Sequence, residues 1–330
     1  MKQVKWGILG CGKIASKFAS DLQLVEGASR FAAASLDLKR AGAFASKFGF
    51  TNHFGSYEEL VQSDVDIIYV ATPHGFHFEH VKLCLQHGKS VLCEKAFTLN
   101  AKQLEYLIAL AKEKNVFLME AFWTKFLPHY RKTFDLIKQG AVGTIRTVSA
   151  DFGFKSPEPK PQRLYDPRLG GGSLLDIGIY PVFLTLDLFG EPDQLTAVMN
   201  PYSTGVDEQI AISFSYKNGM VASLNSSFAV DTPVEATLNG TTGRIHLANR
   251  FHNPSSVVTI HREEKQPEEL TVDKEDGFGY QYEARHVQYC LANGLKESPE
   301  LPLSFSLRLM RLLDRIREAC GIRYEADQSF

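Results

Sequence analysis

Three short segments hold the residue types from which a redox site can be built. Gly10-Cys11-Gly12-Lys13-Ile14-Ala15 follows an apolar run and opens an amphipathic one. Its glycines permit a tight turn and let backbone N–H groups approach a pyrophosphate, and the helix that follows adds the positive end of its dipole. A lone G-x-G-x-x-A pattern says little. Placed between a strand and a helix at the start of a βαβ unit, it reads as a dinucleotide site with Gly10, Gly12, Lys13, Ile14 and Ala15 as cofactor contacts. Cys11 is most simply a small filler residue there, not a nucleophile. Cys93-Glu94-Lys95-Ala96 ends another strand, on the side where open α/β sheets collect their ligands, which puts Glu94 and Lys95 by the cofactor. Gly170-Gly171-Gly172-Ser173-Leu174-Leu175-Asp176-Ile177-Gly178-Ile179-Tyr180 is a glycine turn leading into a helix. Asp176 and Tyr180 stand four residues apart, so a carboxylate and a phenol share one helix face.

The choice of nicotinamide cofactor is read about 20 residues beyond the glycine turn, at the end of the second strand. The chain has Ser35-Leu36-Asp37 there. An acidic residue at position 35 would hold the ribose hydroxyls of NAD. Ser35 instead leaves room for a 2′-phosphate, which Lys39 and Arg40 could neutralise. Asp37 argues for NAD if it turns inward, and Lys39 and Arg40 equally suit the solvated face of a helix. The residues lean to NADP(H), with NAD(H) possible. His74, His77 and His80 fall at spacing three and invite a metal reading. No carboxylate or cysteine pattern completes such a site and hydride transfer needs no metal, so none is expected. His77 fits better beside the cofactor, at a helix start.

The elements that must position these residues follow from apolar periodicity. Val4–Leu9, Phe31–Ser35, Ile67–Ala71, Ser90–Cys93 and Val116–Glu120 read as strands; Lys13–Val25, Lys39–Phe48, Phe76–His87 and Ala101–Lys114 read as helices, the last with Asn100 as N-cap. Strands separated by helices need crossover connections, which predicts a parallel, doubly wound sheet. Beyond Ala121 the pattern changes. A helix over Tyr130–Gln139 precedes a strand over Thr144–Phe154, and a helix is predicted over Leu174–Phe189. Strands then dominate to about Val272, with Ile210–Tyr216 and Val221–Phe228 flanking the turn signal Lys217-Asn218-Gly219. Two helices, Gln281–Leu291 and Leu303–Ala319, end the chain. The expected fold class is α/β: a Rossmann dinucleotide-binding domain over 1–121, then an α+β domain over 122–330 built on an open, mostly antiparallel sheet. The last helix is amphipathic and expected to pack back on the body or the first domain, with a partner helix as the alternative.

Composition narrows the function. The net charge of −2 supplies no basic field for nucleic acid or anionic membrane. A 44% hydrophobic fraction with 22% charged residues suits a globular protein with a real core. The start runs straight into Gly7-Ile8-Leu9, which argues against a signal peptide, and no later stretch reads as long and apolar enough to span a bilayer. Five scattered cysteines without a C-x-x-C pair fit a reduced cytoplasm.

The glycine turn, Cys93–Ala96 and Leu169–Tyr180, together with Thr72-Pro73-His74-Gly75-Phe76-His77 and Phe117–Phe126, resemble the Gfo/Idh/MocA family of oxidoreductases over essentially the whole chain. The resemblance is closest to the branch holding dimeric dihydrodiol dehydrogenase and the NADP-dependent D-xylose dehydrogenases. It implies that Lys95 matches the lysine of the family's Glu-Lys-Pro motif and Tyr180 the phenol acting as acid and base, where many relatives carry histidine. It further places Thr72, Pro73, His74 and His77 at the cofactor and makes the open sheet face a homodimer contact. Ala96 departs from the usual proline, Leu36 from the usual arginine, and Phe183 from the aspartate of the histidine-type relatives. The chemistry agrees with these roles. Oxidising an alcohol sends a hydride to nicotinamide while a base takes the hydroxyl proton. A free phenol, with a pKa of about 10, is a poor base at neutral pH, and a neighbouring ammonium such as that of Lys95 favours the phenolate. Asp176 would hold a substrate hydroxyl or orient Lys95. Trp123, Phe126, Phe152 and Phe154 would wall a substrate pocket, and Arg146 would reach a substrate oxygen or else form a surface salt bridge. The expected reaction is reversible oxidation of a sugar or vicinal diol. A nucleotide- or sugar-sensing regulator without catalysis, and a sugar-ketone reductase working mainly in reverse, are the alternatives.

Overall fold

The protein, described by a computed structural model over residues 3–328, parts into two compact units: Met1–Lys125 with Glu275–Leu307, and Phe126–Lys274 with Arg308–Phe330. In the first, strand and helix alternate as β1 (Val4–Leu9), α1 (Lys13–Leu22), β2 (Ala28–Ala34), α2 (Leu38–Phe48), β3 (Asn52–Phe54), α3 (Tyr57–Gln62), β4 (Ile67–Val70), α4 (His77–Gln86), β5 (Ser90–Glu94), α5 (Ala101–Lys114) and β6 (Leu118–Ala121). The sheet order is β3-β2-β1-β4-β5-β6 and every pair is parallel. The central strand β4 is apolar without alternation, all four of its residues buried, as in a parallel sheet covered on both faces. Strand order reverses between β1 and β4, and the crevice at the carboxyl ends there is the ligand position of such sheets.

Local signals account for the helix ends. Asp37 caps α2, Gly49 closes it at φ +70°, and Asn100 caps α5 by accepting the Gln103 N–H at 2.9 Å. Two elements lie outside the sequence reading. The three residues of β3 are too short to show a period, whereas α3 announces itself by a capping box between Ser56 and Glu59. The first unit also takes back a later segment. Asp21 on α1, buried, accepts the N–H groups of Phe278 and Tyr280 at 2.9 Å, and Trp6 Nε1 donates to Gln288 on the helix Tyr280–Ala292 at 3.2 Å. From Arg308 onward the final helix belongs to the second unit.

The second unit is built on an eight-stranded sheet. Its elements are α6 (Pro128–Lys138), β7 (Ile145–Gly153), α7 (Gln162–Tyr165), α8 (Ile179–Phe189), β8 (Gln194–Pro201), β9 (Asp207–Ser215), β10 (Val221–Ser227), β11 (Ala236–Gly240), β12 (Gly243–Ala248), β13 (Val257–Arg262) and β14 (Glu268–Glu269). The order is β14-β13-β12-β11-β7-β10-β9-β8. All pairs are antiparallel except β7 with β10, which run parallel side by side at the centre. The buried helix α8 covers one face, and the other alternates outward in β9 and β10.

Two expectations change here. The helix predicted over Leu174–Phe189 begins as a π-turn, Leu174–Gly178, before α8 takes over. Its Gly178 lies so close to β10 that a Cβ would stand 2.7 Å from Ser226 Oγ. One stretch, Pro167–Phe189, is long and apolar enough to cross a membrane (23 residues, mean hydropathy 1.4), contrary to the sequence reading; 83% of its most apolar window is buried inside the protein. A core helix hydrophobic all round has that composition because the sheet, not lipid, covers it.

Candidate active site

The first unit supplies a phosphate cradle. Gly10 ends β1 at φ +97°, and a Cβ there would meet Thr72 Cγ2 at 2.8 Å, so only glycine lets the turn pass the end of β4. A Cβ on Gly12 would meet nothing within 4 Å. Packing within the chain therefore does not demand glycine at position 12, whereas close approach of a pyrophosphate does. Gly12 also caps α1 with no side-chain hydrogen bond, and the first turn of α1 carries no acid, so its N–H groups and dipole suit an anion. Ala15 is buried, with Ile14 and Lys13 exposed beside it. The donor set fits a dinucleotide.

At the end of β2, buried Ser35 Oγ accepts the Asp37 N–H at 3.3 Å. Asp37 does not turn inward: its carboxylate accepts the N–H groups of Lys39 and Arg40 at 2.9 and 3.2 Å. Arg40 is exposed, and its guanidinium acts electrostatically on Cys11 of the glycine turn. Burial pushes the Cys11 thiol up to about 12, which makes it the inert filler expected from the sequence.

The histidine series packs against the loops that follow β4 and β5. His77 is fully buried, and its two ring nitrogens face the carbonyl oxygens of Ala96 and Thr72 at 2.8 and 2.7 Å. The ring sits between the loops after β4 and β5, and burial lowers its pKa, which favours the neutral form with one N–H for the two carbonyls. His80 Nδ1 meets Thr72 Oγ1 at 2.9 Å, and burial takes its pKa down to about 4. His74 is buried with its ring 5.6 Å from that of His77. The His77 ring therefore lies between Thr72-Pro73 and Lys95-Ala96, whose peptide bond is cis.

Glu94 accepts the Tyr69 hydroxyl. Two further carboxyls in this unit carry no sequence signal. Glu283, on the helix Tyr280–Ala292, is buried, and desolvation with the charge of Glu94 raises its pKa. Glu120, opposite Cys93 in the β5–β6 register, is raised by burial from 4.5 to about 7. Between those values the unfolded chain has released a proton that the fold still holds. Stability is therefore lost as pH rises through this window and levels off once the folded-state carboxyl has also ionised. Glu120→Gln has no proton to lose. Its melting temperature is expected to track wild type near pH 4.5 and to exceed it at pH 8, as differential scanning fluorimetry would read.

The second unit supplies Asp176 and Tyr180. The glycine run is locked first: Gly172 has φ +118°, and a Cβ would stand 2.4 Å from Asp207 Oδ1. Buried Asp207, raised to about 6 by desolvation, accepts the Ser173 hydroxyl at 2.8 Å and the Leu174 N–H at 2.6 Å. Tyr324 donates to the Gly171 carbonyl at 2.7 Å. Arg163 of α7, unremarked in the sequence, grips Asp176 with two hydrogen bonds of 3.1 Å. The Tyr180 ring stands 5.7 Å from Phe152 and 4.5 Å from His252, which stack on each other at 4.4 Å.

Each predicted substrate contact finds partners within its own unit. Arg146 is exposed and donates to the Asn218 carbonyl at 2.8 Å, so it braces the β9–β10 hairpin. Trp123 is buried in the first unit, stacked on Tyr280 at 4.8 Å. Phe154 packs against Phe228 at 5.2 Å and lines a cavity of the second unit.

Known proteins place these features in context. Residues 4–122 match the oxidoreductase family with NAD-binding Rossmann fold, and 130–246 the GFO/IDH/MocA C-terminal domain. The chain is 38% identical to a Xenopus tropicalis trans-1,2-dihydrobenzene-1,2-diol dehydrogenase over 97% of its length and 99% of the relative's. It is 37% identical to the Homo sapiens protein of that name, with 98% and 99% covered. Among solved structures, a 3-ketoreductase from Actinomadura kijaniata, crystallised with NADP and TDP-benzene, superposes with a TM-score of 0.87 at 28% identity, covering 97% of this chain and 98% of that one.

Proposed function

The chain belongs to the Gfo/Idh/MocA family of oxidoreductases, and from that premise we propose that it transfers a hydride between NADP(H) and a sugar or vicinal diol. The phosphate cradle at the strand-order reversal carries the reading: Gly12 leaves open the space that a pyrophosphate would use, at the N-terminus of a helix with no side-chain cap. The dihydrodiol dehydrogenases matched over nearly the full chain support the substrate class. NADP is favoured because Asp37 is spent on capping α2, leaving Ser35 without an acidic neighbour and Arg40 exposed; the reductase crystallised with NADP agrees.

Gly10, Gly12 and the first turn of α1 would hold the pyrophosphate and Ser35 with Arg40 the 2′-phosphate. Bound nicotinamide supplies or accepts the hydride. Lys95 and Tyr180 are assigned to the proton path at the reacting oxygen, and Asp176, oriented by Arg163, to a substrate hydroxyl. The 3-ketoreductase also supports reduction of a sugar ketone as the working direction, which reverses the same proton path. A homodimer through the exposed face of the second unit's sheet, and a cytoplasmic setting for five free cysteines, complete the proposal.

The test is nicotinamide reduction with NADP⁺ and NAD⁺ separately, over aldoses, inositols and trans-dihydrodiols. No turnover despite cofactor binding would mark a regulator and overturn the enzyme reading. Arg40→Ala is expected to raise KM for NADP⁺ by about tenfold, roughly 1.4 kcal/mol, through loss of a charge-assisted phosphate contact, and to leave KM for NAD⁺ unchanged. An equal rise for both would remove Arg40 from cofactor choice.

A further inference from the structure

We propose that the second unit carries a distal glycosyl subsite, a cavity at the end of β7 that receives a neutral sugar ring attached to the one being oxidised. The cavity has a volume of about 470 Å³. That lies within the range of ligand pockets, roughly 300–1,000 Å³, and exceeds what a small diol fills. Phe152 and Phe154 form its apolar wall, and Asp231, Asn249 and Arg250 bring polar ends to it. Apolar aromatic edges beside planar polar groups that can bind adjacent hydroxyl pairs suit a pyranose. One carboxylate and one guanidinium balance, which suits a neutral ring rather than a phosphate or a uronic acid.

Both charged groups keep capacity for a ligand. Asp231 Oδ1 accepts the Lys155 N–H at 3.1 Å, which leaves Oδ2 available. The Arg250 side chain makes no hydrogen bond or ion pair among the described residues, although it borders the cavity.

The rim is strained and held. Val234, Asn249 and Arg250 have φ of +58°, +55° and +66°, three of the five non-glycine residues with positive φ among those described, and all three line this cavity. Such conformations persist where the surroundings impose them, and they concentrate at ligand sites. Here Asp151 accepts the Val234 N–H at 2.8 Å, Phe251 donates its N–H to the Val234 carbonyl at 3.1 Å, and Asn249 Nδ2 donates to the Ser255 carbonyl at 2.9 Å. Gly153 lets the 231–234 loop lie on β7, since a Cβ there would stand 2.6 Å from Thr232 Cγ2.

The cavity also adjoins the chemistry. Phe152 lines it, and the same ring stands 5.7 Å from Tyr180 and stacks on His252. A sugar oxidised at Tyr180 can therefore extend past Phe152 into the cavity. This identification of the substrate as a glycoside rests on the oxidoreductase reading of Tyr180; the sugar-binding property of the cavity does not.

Two measurements on the NADP-loaded protein keep those claims apart. Calorimetric titration with maltose, cellobiose, lactose and xylobiose should show binding of at least one, weakened about tenfold by Arg250→Ala and by Asp231→Asn. Both side chains are exposed, so folding is not at stake. In turnover, the ratio of kcat/KM for that disaccharide to kcat/KM for its monosaccharide should exceed one and fall about tenfold in each variant. Binding without turnover would retain the subsite and remove the oxidoreductase reading. No binding of any disaccharide, a ratio unmoved by both variants, or tighter binding of glucose 6-phosphate than of any disaccharide would overturn the subsite.

Discussion

Lys95→Ala is expected to lower kcat by about 10³-fold, close to 4 kcal/mol of barrier, while the affinity for NADP⁺ stays within about twofold of wild type. The asymmetry follows from where the residue sits. Lys95 follows directly on β5, at the carboxyl edge of a parallel sheet, and the next carbonyl is pinned by buried His77. The pyrophosphate cradle lies on other backbone, at Gly10, Gly12 and the start of α1. On the proposed assignment of Lys95 to the proton path, removing the ammonium takes a charge from the reacting oxygen without disturbing that cradle. Lys95→Arg is expected to recover little, because a planar guanidinium cannot reproduce a compact ammonium. Steady-state rates of nicotinamide reduction with fluorescence titration of NADP(H) would check both halves. A large loss of cofactor affinity with kcat preserved would make Lys95 a cofactor anchor instead.

Tyr180→Phe is expected to cost about 10² to 10⁴-fold in kcat, the usual contribution of one positioned acid or base. The ring sits among Phe152 and His252 and is 8% exposed, and phenylalanine keeps that packing. The melting temperature should therefore stay near wild type, which separates a chemical role from a structural one. The pH dependence of kcat supplies the second readout: the limb that reports the phenol should vanish in the variant. A variant that turns over like wild type would place the proton path elsewhere, and Asp176, gripped by Arg163, would be the next group to test.

The division between what was legible in the chain and what was not follows the range of the forces involved. The glycine turn was readable because its parts are neighbours: an apolar strand, a turn needing positive φ at Gly10, and a helix whose first N–H groups are left for an anion. The α5 helix was readable for the same reason, since Asn100 and the apolar spacing of Leu104, Leu107 and Ala111 lie within one element. Apolar runs joined by helices implied the parallel sheet because a crossover leaves no other pairing. Tertiary structure alone decided which polar groups find each other. Arg163 reaches Asp176 across 13 positions, Arg146 turns to Asn218 across 72, and Asp21 holds Phe278 across 257. Spacing could not show that the His77 ring lies against the carbonyls of Ala96 and Thr72. The π-turn before α8 arises where Gly178 meets Ser226 on a strand formed far later in the chain. Pro167–Phe189 reads by composition like a membrane span, and only its burial beneath a sheet says otherwise. Periodicity, caps and turns are written in adjacent residues, whereas a hydrogen-bond partner and the covering of an apolar face depend on segments that meet only once the chain has folded.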